Sequence, residues 1–344
     1  MEELVNKEAD PGEAVRAMYQ LYPYPSPIVG ESLIEDVANG LYSLFGDRSL
    51  KGWRVLDAGC GTGHRLIGVA RRYPGAEFVG IDMTKASLNV AKRLAERHGI
   101  GNVHFEQGDI LNLDVSGEFD LILCTGVIVC LDNPRRGLEN LASLLAPGGI
   151  IFAWLYNAVG ERDRLLDREL LHLMSGAEGG VGHTVEVMRD LGLRLSVDQY
   201  GSAASQQPSE VSQLNIDVDA YVHPIVNVFR LDEAIALLGK CRQLGWAAIN
   251  SINVVGASRL IDLSEAEQSD LRFFCQCIDD LLPKESLRRQ FRKLGKMEQL
   301  RVMEIKLKPT GFTVLAGRGQ SYSGLGSRIV GNACVFGSGD QAQS

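Results

Sequence analysis

The stretch Val55-Leu56-Asp57-Ala58-Gly59-Cys60-Gly61-Thr62-Gly63 decides the fold. Two apolar residues and an acid run into glycines at alternate positions, the pattern of a buried strand end entering a tight turn. Glycines let the backbone turn sharply and let a ligand approach it closely. Leu66, Val69, Ala70 and Tyr73 follow at helical spacing. The start of such a helix offers unpaired N–H groups and a positive dipole end, which suit a carboxylate or a phosphate.

The same alternation continues outward. Phe78-Val79-Gly80-Ile81 reads as a second strand, and Asp82 ends it. Thr84 can cap a helix reaching His98, with Leu88, Ala91, Leu94 and Ala95 inward. Val103-His104-Phe105 is a third strand, and the apolar run from Phe119 to Cys124 suits a fourth strand covered on both faces. Pro134 opens a helix with Leu138, Leu141, Ala142 and Leu145 inside, Pro147-Gly148-Gly149 ends it, and Ile150 to Leu155 is a fifth strand. Strands alternating with helices of this length predict a parallel sheet.

Around this core the pattern is less regular. Residues 1–17 read as a weak helix or a flexible arm. Tyr22-Pro23-Tyr24-Pro25-Ser26-Pro27 must be extended, because its prolines fix φ and remove donors. Residues 31–47 have helical spacing. Beyond Tyr156 we expect a helix over 161–174, loops over 175–183 and 201–212, a helix over 231–244 and a strand over 246–255. Ser264 and Glu267 form a capping box before a helix carrying Leu271, Phe274, Ile278 and Leu281. A further helix follows Ser286, a last strand spans 312–316, and the Gly- and Ser-rich tail is expected to be mobile. The predicted organisation is an arm or lid over 1–49, a cofactor core over 50–156, a substrate-recognition insertion with the last strands over 157–318, and a tail over 319–344.

Composition narrows the function. The 344 residues are 45% hydrophobic and 23% charged, with a net charge of −8. That balance allows a sizeable core and argues against nucleic acid, which needs a basic surface. The basic run from Lys284 to Lys308 reads as a solvated helix face. Seven cysteines without a CxxC pair suggest reduced thiols, with neither a disulfide framework nor a bound metal. The acidic start, MEELVNKEAD, predicts no cleaved leader, and no apolar run is long enough to span a bilayer. A cytoplasmic protein without membrane partners is expected, and a homodimer stays open.

Two cofactors use a Gly-rich turn between strand and helix. A dinucleotide enzyme shows G-x-G-x-x-G, whose third glycine would fall where this chain has His64. The glycines here stand at 59, 61 and 63, with Asp57 two residues before the first. This turn resembles motif I of the class I S-adenosylmethionine-dependent methyltransferases, close to L-D-x-G-C-G-x-G. Four later stations resemble the family in order and spacing: Asp82-Met83, Gln107-Gly108-Asp109-Ile110, Phe119 to Val127, and Pro147-Gly148-Gly149.

The resemblance implies a doubly wound α/β fold with a mostly parallel seven-stranded sheet. An N-terminal helical arm and a large, mainly helical C-terminal insertion would accompany it. S-adenosylmethionine is the implied cofactor. Gly59, Cys60, Gly61 and Gly63 would pack around its methionine portion, with Asp57 near the ammonium. Asp82 would take the ribose hydroxyls, and Met83 would pack on the adenine. Asp109 would meet the adenine amino group, with Gly108 and Ile110 beside the ring, and Cys124 and Thr125 would lie beneath the cofactor.

Many relatives carry G-V-L-H-H-L after strand four, whereas this chain has Gly126-Val127-Ile128-Val129-Cys130-Leu131. Both histidines are gone, so a base comes from elsewhere or none is needed. The Tyr-Pro-Tyr-Pro element and the segment Asp219-Ala220-Tyr221-Val222-His223-Pro224 resemble a bacterial subset of the family. On that basis His223 and Tyr24 are the catalytic candidates, and Tyr22, Tyr24, Tyr156 and His223 are expected to border the substrate; His64 is a lesser candidate. The expected reaction is methyl transfer to oxygen, nitrogen or carbon of a small molecule. A protein or peptide side chain, a non-catalytic scaffold and a nucleotide-dependent oxidoreductase are the alternatives.

Overall fold

The computed structural model describes residues 10–46, 49–113, 115, 117–176, 180–196, 208–254, 257–261, 275–276, 278–319 and 333–334. The glycine turn leaves β1 (Arg54–Ala58), which lies between β2 (Glu77–Asp82) and β4 (Phe119–Thr125). β3 (Val103–Gln107) flanks β2, and β5 (Leu145–Tyr156) flanks β4; all five strands are parallel. Beyond β5 comes β9 (Gly311–Gly317), antiparallel to β5 and to its other neighbour β6 (Trp246–Val254). These seven strands have the expected number and mostly parallel sense. The sheet continues past them through β7 (Ala257–Ile261), β8 (Cys275–Gln276) and β10 (Ala333–Cys334), making ten strands among the described residues.

Helices cover both faces, as right-handed crossovers between parallel strands require. On one face lie α2 (Asp36–Phe45), α3 (His64–Arg72) and α4 (Lys85–His98). Their apolar stripes meet Val55, Phe78, Leu121, Leu123 and Phe152. On the other lie α5 (Pro134–Ser143), α9 (Leu231–Gly239) and α12 (Lys296–Leu307), packed on Ile122, Cys124, Ile151, Ala153 and Phe312. A third core lies beside the sheet. There α1 (Pro11–Leu21) packs Met18 against α6 (Arg162–Ser175), α7 (Val181–Asp190) and the turn after α8 (Glu210–Asp217). Two short helices, α10 (Ile278–Leu281) and α11 (Glu285–Phe291), precede α12. No helix among the described residues is long and apolar enough to cross a membrane.

Several boundaries differ from the sequence reading for identifiable reasons. α2 starts at Asp36 rather than residue 31, because Ile34 N–H donates to the His64 carbonyl and holds the preceding chain extended. β5 already begins at Leu145, so Pro147-Gly148-Gly149 lies inside its span; the Phe119–Leu145 pair precedes a bulge. α7 starts at Val181 and α8 at Glu210, within segments read as loops. α9 stops at Gly239, followed by tight turns at Lys240, Cys241 and Leu244. The capping box at Ser264 and its helix through Phe274 lie outside the described residues, as does the tail past 319 apart from β10.

One buried polar knot fastens the C-terminal half to the core. Glu304 of α12 is fully buried. Its Oε1 accepts from Asn157 Nδ2 at 2.7 Å and from Leu231 N–H at 2.9 Å, and its Oε2 accepts from Arg230 Nε. The end of β5, the start of α9 and α12 thus share one carboxylate. Removing one partner of a buried pair leaves the other desolvated and unpaired, a loss of about 3–5 kcal/mol. Glu304→Ala is expected to destabilise the protein by that order, read from denaturant unfolding, with Glu304→Gln losing less because an amide oxygen still accepts two bonds.

Candidate active site

The glycine turn has the conformation its sequence requires. Gly59, Gly61 and Gly63 have φ of 85°, 54° and 77°, in the left-handed region. The N–H groups of Gly59 and Cys60 both donate to the Ile81 carbonyl, tying the turn to β2. A Cβ on Gly61 would lie 2.4 Å from the Tyr24 carbonyl oxygen, so only glycine fits beneath the Tyr22–Pro27 strap. That carbonyl accepts from Thr62 N–H at 2.9 Å. The strap is pinned on its other side by α8, through Asn215 Nδ2 to the Pro23 carbonyl at 2.6 Å and Ser26 Oγ to Ser212 Oγ at 2.6 Å.

A cavity of about 820 Å³ opens at this turn. Asp57, Gly59, Cys60, Gly61, Asp82, Met83, Gly108, Asp109, Ile110 and Thr125 all line it. Asp57 is only 7% exposed, and its carboxylate faces the cavity. Burial raises its carboxyl to about 7, against the pull of Arg65; Asp82 and Asp36 push the same way as burial. Asp82 is also raised, by burial. Its Oδ2 accepts from Gly61 N–H at 3.1 Å, and its Oδ1 from Thr84 N–H and Oγ1, each at 2.8 Å. Asp109 caps its own turn, accepting from Leu111 N–H and Asn112 Nδ2. Such a set of carboxylate acceptors fits a ligand with a cationic group beside Asp57 and hydroxyls beside Asp82.

Two expected cofactor residues lie elsewhere. Cys124 points to the opposite face of β4, into the core with Ile151 and Ala153, because strand side chains alternate; its neighbours Leu123 and Thr125 reach the cavity instead. Gly63 is a packing glycine: a Cβ there would meet the Ala91 Cβ at 2.8 Å, so it lets α3 lie against α4.

At the far end of the turn the cavity is walled by Tyr19, Tyr24, Cys130, Tyr156, Glu161, Arg164 and Asp219. Tyr19 Oη donates to Asp219 Oδ1 at 2.6 Å. Burial raises the Asp219 carboxyl, opposed by the Tyr19 hydrogen bond and by Arg164. Asp219 sits in a five-residue π-helical turn, Val218–Val222, directly after α8. π-turns inside helices often mark functional sites. Arg164 pairs with Glu161, lies 4.5 Å above the Tyr156 ring and donates to the Ala220 carbonyl.

The expectation for His223 does not survive its placement. The residue is fully buried and does not line the cavity. Its Nδ1 accepts from Ile225 N–H at 3.0 Å, and its ring packs edge-on against Tyr19 at 5.5 Å. Burial and the neighbouring Arg168 lower its pKa to about 3, so it is neutral near pH 7. Tyr22 likewise turns from the cavity and packs against the third core. His64 is buried, its Nδ1 bonded to Thr62 Oγ1 at 2.9 Å, and is also off the cavity wall. Of the expected substrate residues, Tyr24 and Tyr156 reach the cavity. Sequence reasoning missed Tyr19, Cys130, Glu161, Arg164 and Asp219. The one available signal was an acid, Asp219, four residues before His223 in an otherwise apolar turn.

Comparisons with known proteins agree with this geometry. A methyltransferase-domain family model matches residues 49–180. An uncharacterized Synechococcus protein is 31% identical over 224 residues, which cover 62% of this chain and 54% of that protein. A ubiquinone biosynthesis O-methyltransferase of Coxiella burnetii is 36% identical over 122 residues, covering 33% of this chain and 51% of that enzyme. The chain spans about half the length of the curated relatives it matches. Among solved structures, PKMT2 from Rickettsia typhi aligns with a TM-score of 0.55 at 19% identity, over 85% of this chain and 55% of that chain. Identity this low establishes likeness of fold alone. Residues 49–180, which hold the glycine turn and the five parallel strands, match a methyltransferase-domain model, and the whole sheet has the doubly wound α/β arrangement.

Proposed function

We propose that the chain transfers the methyl group of S-adenosylmethionine to a small-molecule acceptor enclosed beneath the strap. The observation that carries this reading is the single cavity that joins the acids of the glycine turn to the Tyr19–Asp219 pair. About 820 Å³ lies within the range of small-molecule and cofactor sites. The likeness to the O-methyltransferase of Coxiella burnetii supports the methyl-transfer chemistry; it spans only a third of this chain and leaves the acceptor to the insertion.

The residues divide the work by charge and position. Asp57 holds the cofactor's ammonium, Asp82 its ribose hydroxyls and Asp109 its adenine amino group, with Met83 and Ile110 against the ring. When bound, the cofactor supplies a methyl carbon on a sulfonium, open to in-line attack. Tyr19, Tyr24 and Tyr156 wall the adjoining space, exclude water and orient the acceptor, and orientation alone lowers the barrier by several kcal/mol. Asp219 takes the acceptor's proton at Oδ2, the oxygen that Tyr19 leaves open, and its raised pKa brings it closer to a working base near neutrality. Arg164 and Glu161 neutralise each other and hold the Asp219 turn in place.

Calorimetry tests the cofactor. S-adenosylmethionine and S-adenosylhomocysteine are expected to bind and NAD not to bind; absence of both sulfur ligands would overturn the reading. The pH dependence has a definite sign. Asp57 meets the ammonium only when ionised, and its carboxyl is raised to about 7. Affinity is therefore full above pH 7 and falls as pH drops through 7, by up to about tenfold per unit for one linked proton. Asp57→Asn should weaken binding and flatten that profile. For the base, Asp219→Asn is expected to lower turnover by about 10²–10⁴-fold with the acceptor found by labelled-methyl screening. Its affinity for S-adenosylhomocysteine should be unchanged, and normal turnover would remove Asp219 from the mechanism.

A further inference from the structure

The cavity does not end at the Tyr19–Asp219 pair. It continues across the sheet over β5, β9 and β6, with α2 forming the facing wall through Asn39, Gly40 and Ser43. The strand register lays out its floor. Thr125 of β4 pairs with Trp154 of β5, Trp154 with Thr313 of β9, and Thr313 with Ser251 of β6. With strands about 4.8 Å apart, this row reaches roughly 14 Å from the methyl-transfer end.

Three side chains along it are buried and polar: Asn250 is 6% exposed, Ser251 8% and Thr313 4%. None of the three has a side-chain hydrogen-bond partner among the described residues, and all three line the cavity. Their polar atoms are not sealed in the core but reach the cavity, where they are open to a ligand's hydrogen bonds. Beside them, Trp154 Nε1 donates to Asn253 Oδ1 at 3.2 Å, which fixes the indole at the trough's edge. A Cβ on Gly311 would come within 2.3 Å of that ring, so the glycine there makes room for it. The lining residues from β5, β6, β7 and β9 are all uncharged, in contrast to the acidic cofactor end.

We infer that this second lobe is a trough for a neutral, hydroxyl-rich group of the acceptor, of the glycosyl type. Hydroxyl and amide side chains each donate and accept, which complements sugar hydroxyls. An indole beside them offers a flat apolar surface to the C–H face of a pyranose. The absence of charge along the floor selects against carboxylated or phosphorylated forms. Calling the trough an acceptor subsite rests on the methyl-transfer reading, whereas the trough's own chemistry does not.

The test titrates the full chain with p-nitrophenyl β-glucoside, galactoside and xyloside, beside p-nitrophenol and the charged p-nitrophenyl glucuronide. At least one neutral glycoside is expected to bind about tenfold or more tightly than p-nitrophenol and the glucuronide, the worth of one or two net hydrogen bonds. Thr313→Val and Asn250→Leu should each abolish that gain and leave affinity for S-adenosylhomocysteine unchanged. Thr313→Val removes a hydroxyl that faces the cavity and keeps the side chain's size, so the Tm of the ligand-free protein should stay within about 2 °C of its original value. That unchanged Tm separates loss of recognition from loss of folding. No advantage of any neutral glycoside over p-nitrophenol, or an advantage that survives both substitutions, would overturn the trough. S-adenosylhomocysteine is titrated separately, so its failure to bind would sink the methyl-transfer reading while the glycosides still report on the trough.

Discussion

The Tyr24 carbonyl lies where a Cβ on Gly61 would be, and it accepts the Thr62 N–H. The hydrogen bond contributes only about 1 kcal/mol net. Its position matters more than its strength. It holds the strap against the cofactor turn while Asn215 and Ser212 of α8 hold the strap from the other side. α8 runs directly into the π-turn that carries Asp219. The distance from the glycine turn to Asp219 is therefore set through the strap, by one carbonyl that needs a glycine beneath it. The prolines at 23, 25 and 27 suit this task, since a strap with few free dihedrals loses little entropy on docking.

Electrostatics divides the cavity into two environments. At the cofactor end, Asp57 and Asp82 stand close enough for Asp82 to help raise Asp57, and Arg65 only partly offsets them because Asp36 also binds its guanidinium. A ligand that brings a cation relieves this crowding, which favours binding without large contact area. Toward the trough the lining becomes neutral and hydrogen-bonding.

The sequence made the cofactor half legible because every constraint there is local. A strand end, a turn that demands positive φ at residues 59, 61 and 63, and acids at the ends of β1, β2 and β3 all follow from short-range pattern. The same logic failed at Cys124 and Gly63. Strand alternation turns the first inward, and helix packing rather than ligand contact explains the second. The other half of the cavity was opaque because its residues meet across long separations: Tyr19 with Asp219, Arg164 with Ala220, Trp154 with Asn253. No periodicity joins such pairs. His223 drew attention as a histidine in an unusual segment, yet a residue's chemistry says nothing of its depth, and depth decided its role.

The buried arginines explain why that depth was needed. Arg168 donates to the carbonyls of Ala220 and His223, and Arg164 donates to Ala220 as well. Two guanidiniums thus satisfy carbonyls of the turn that carries Asp219. Burial above all, and then repulsion from Arg168 and Arg164, drives His223 to the neutral form. Neutral, it can accept the Ile225 N–H and present an apolar edge to Tyr19, which in turn orients Asp219. His223 then packs the Tyr19 ring against Asp219 from the buried side. The same arginines limit how far burial can raise Asp219, since each favours its ionised form. The turn is therefore held by positive charge on its buried side, while its carboxylate faces the cavity.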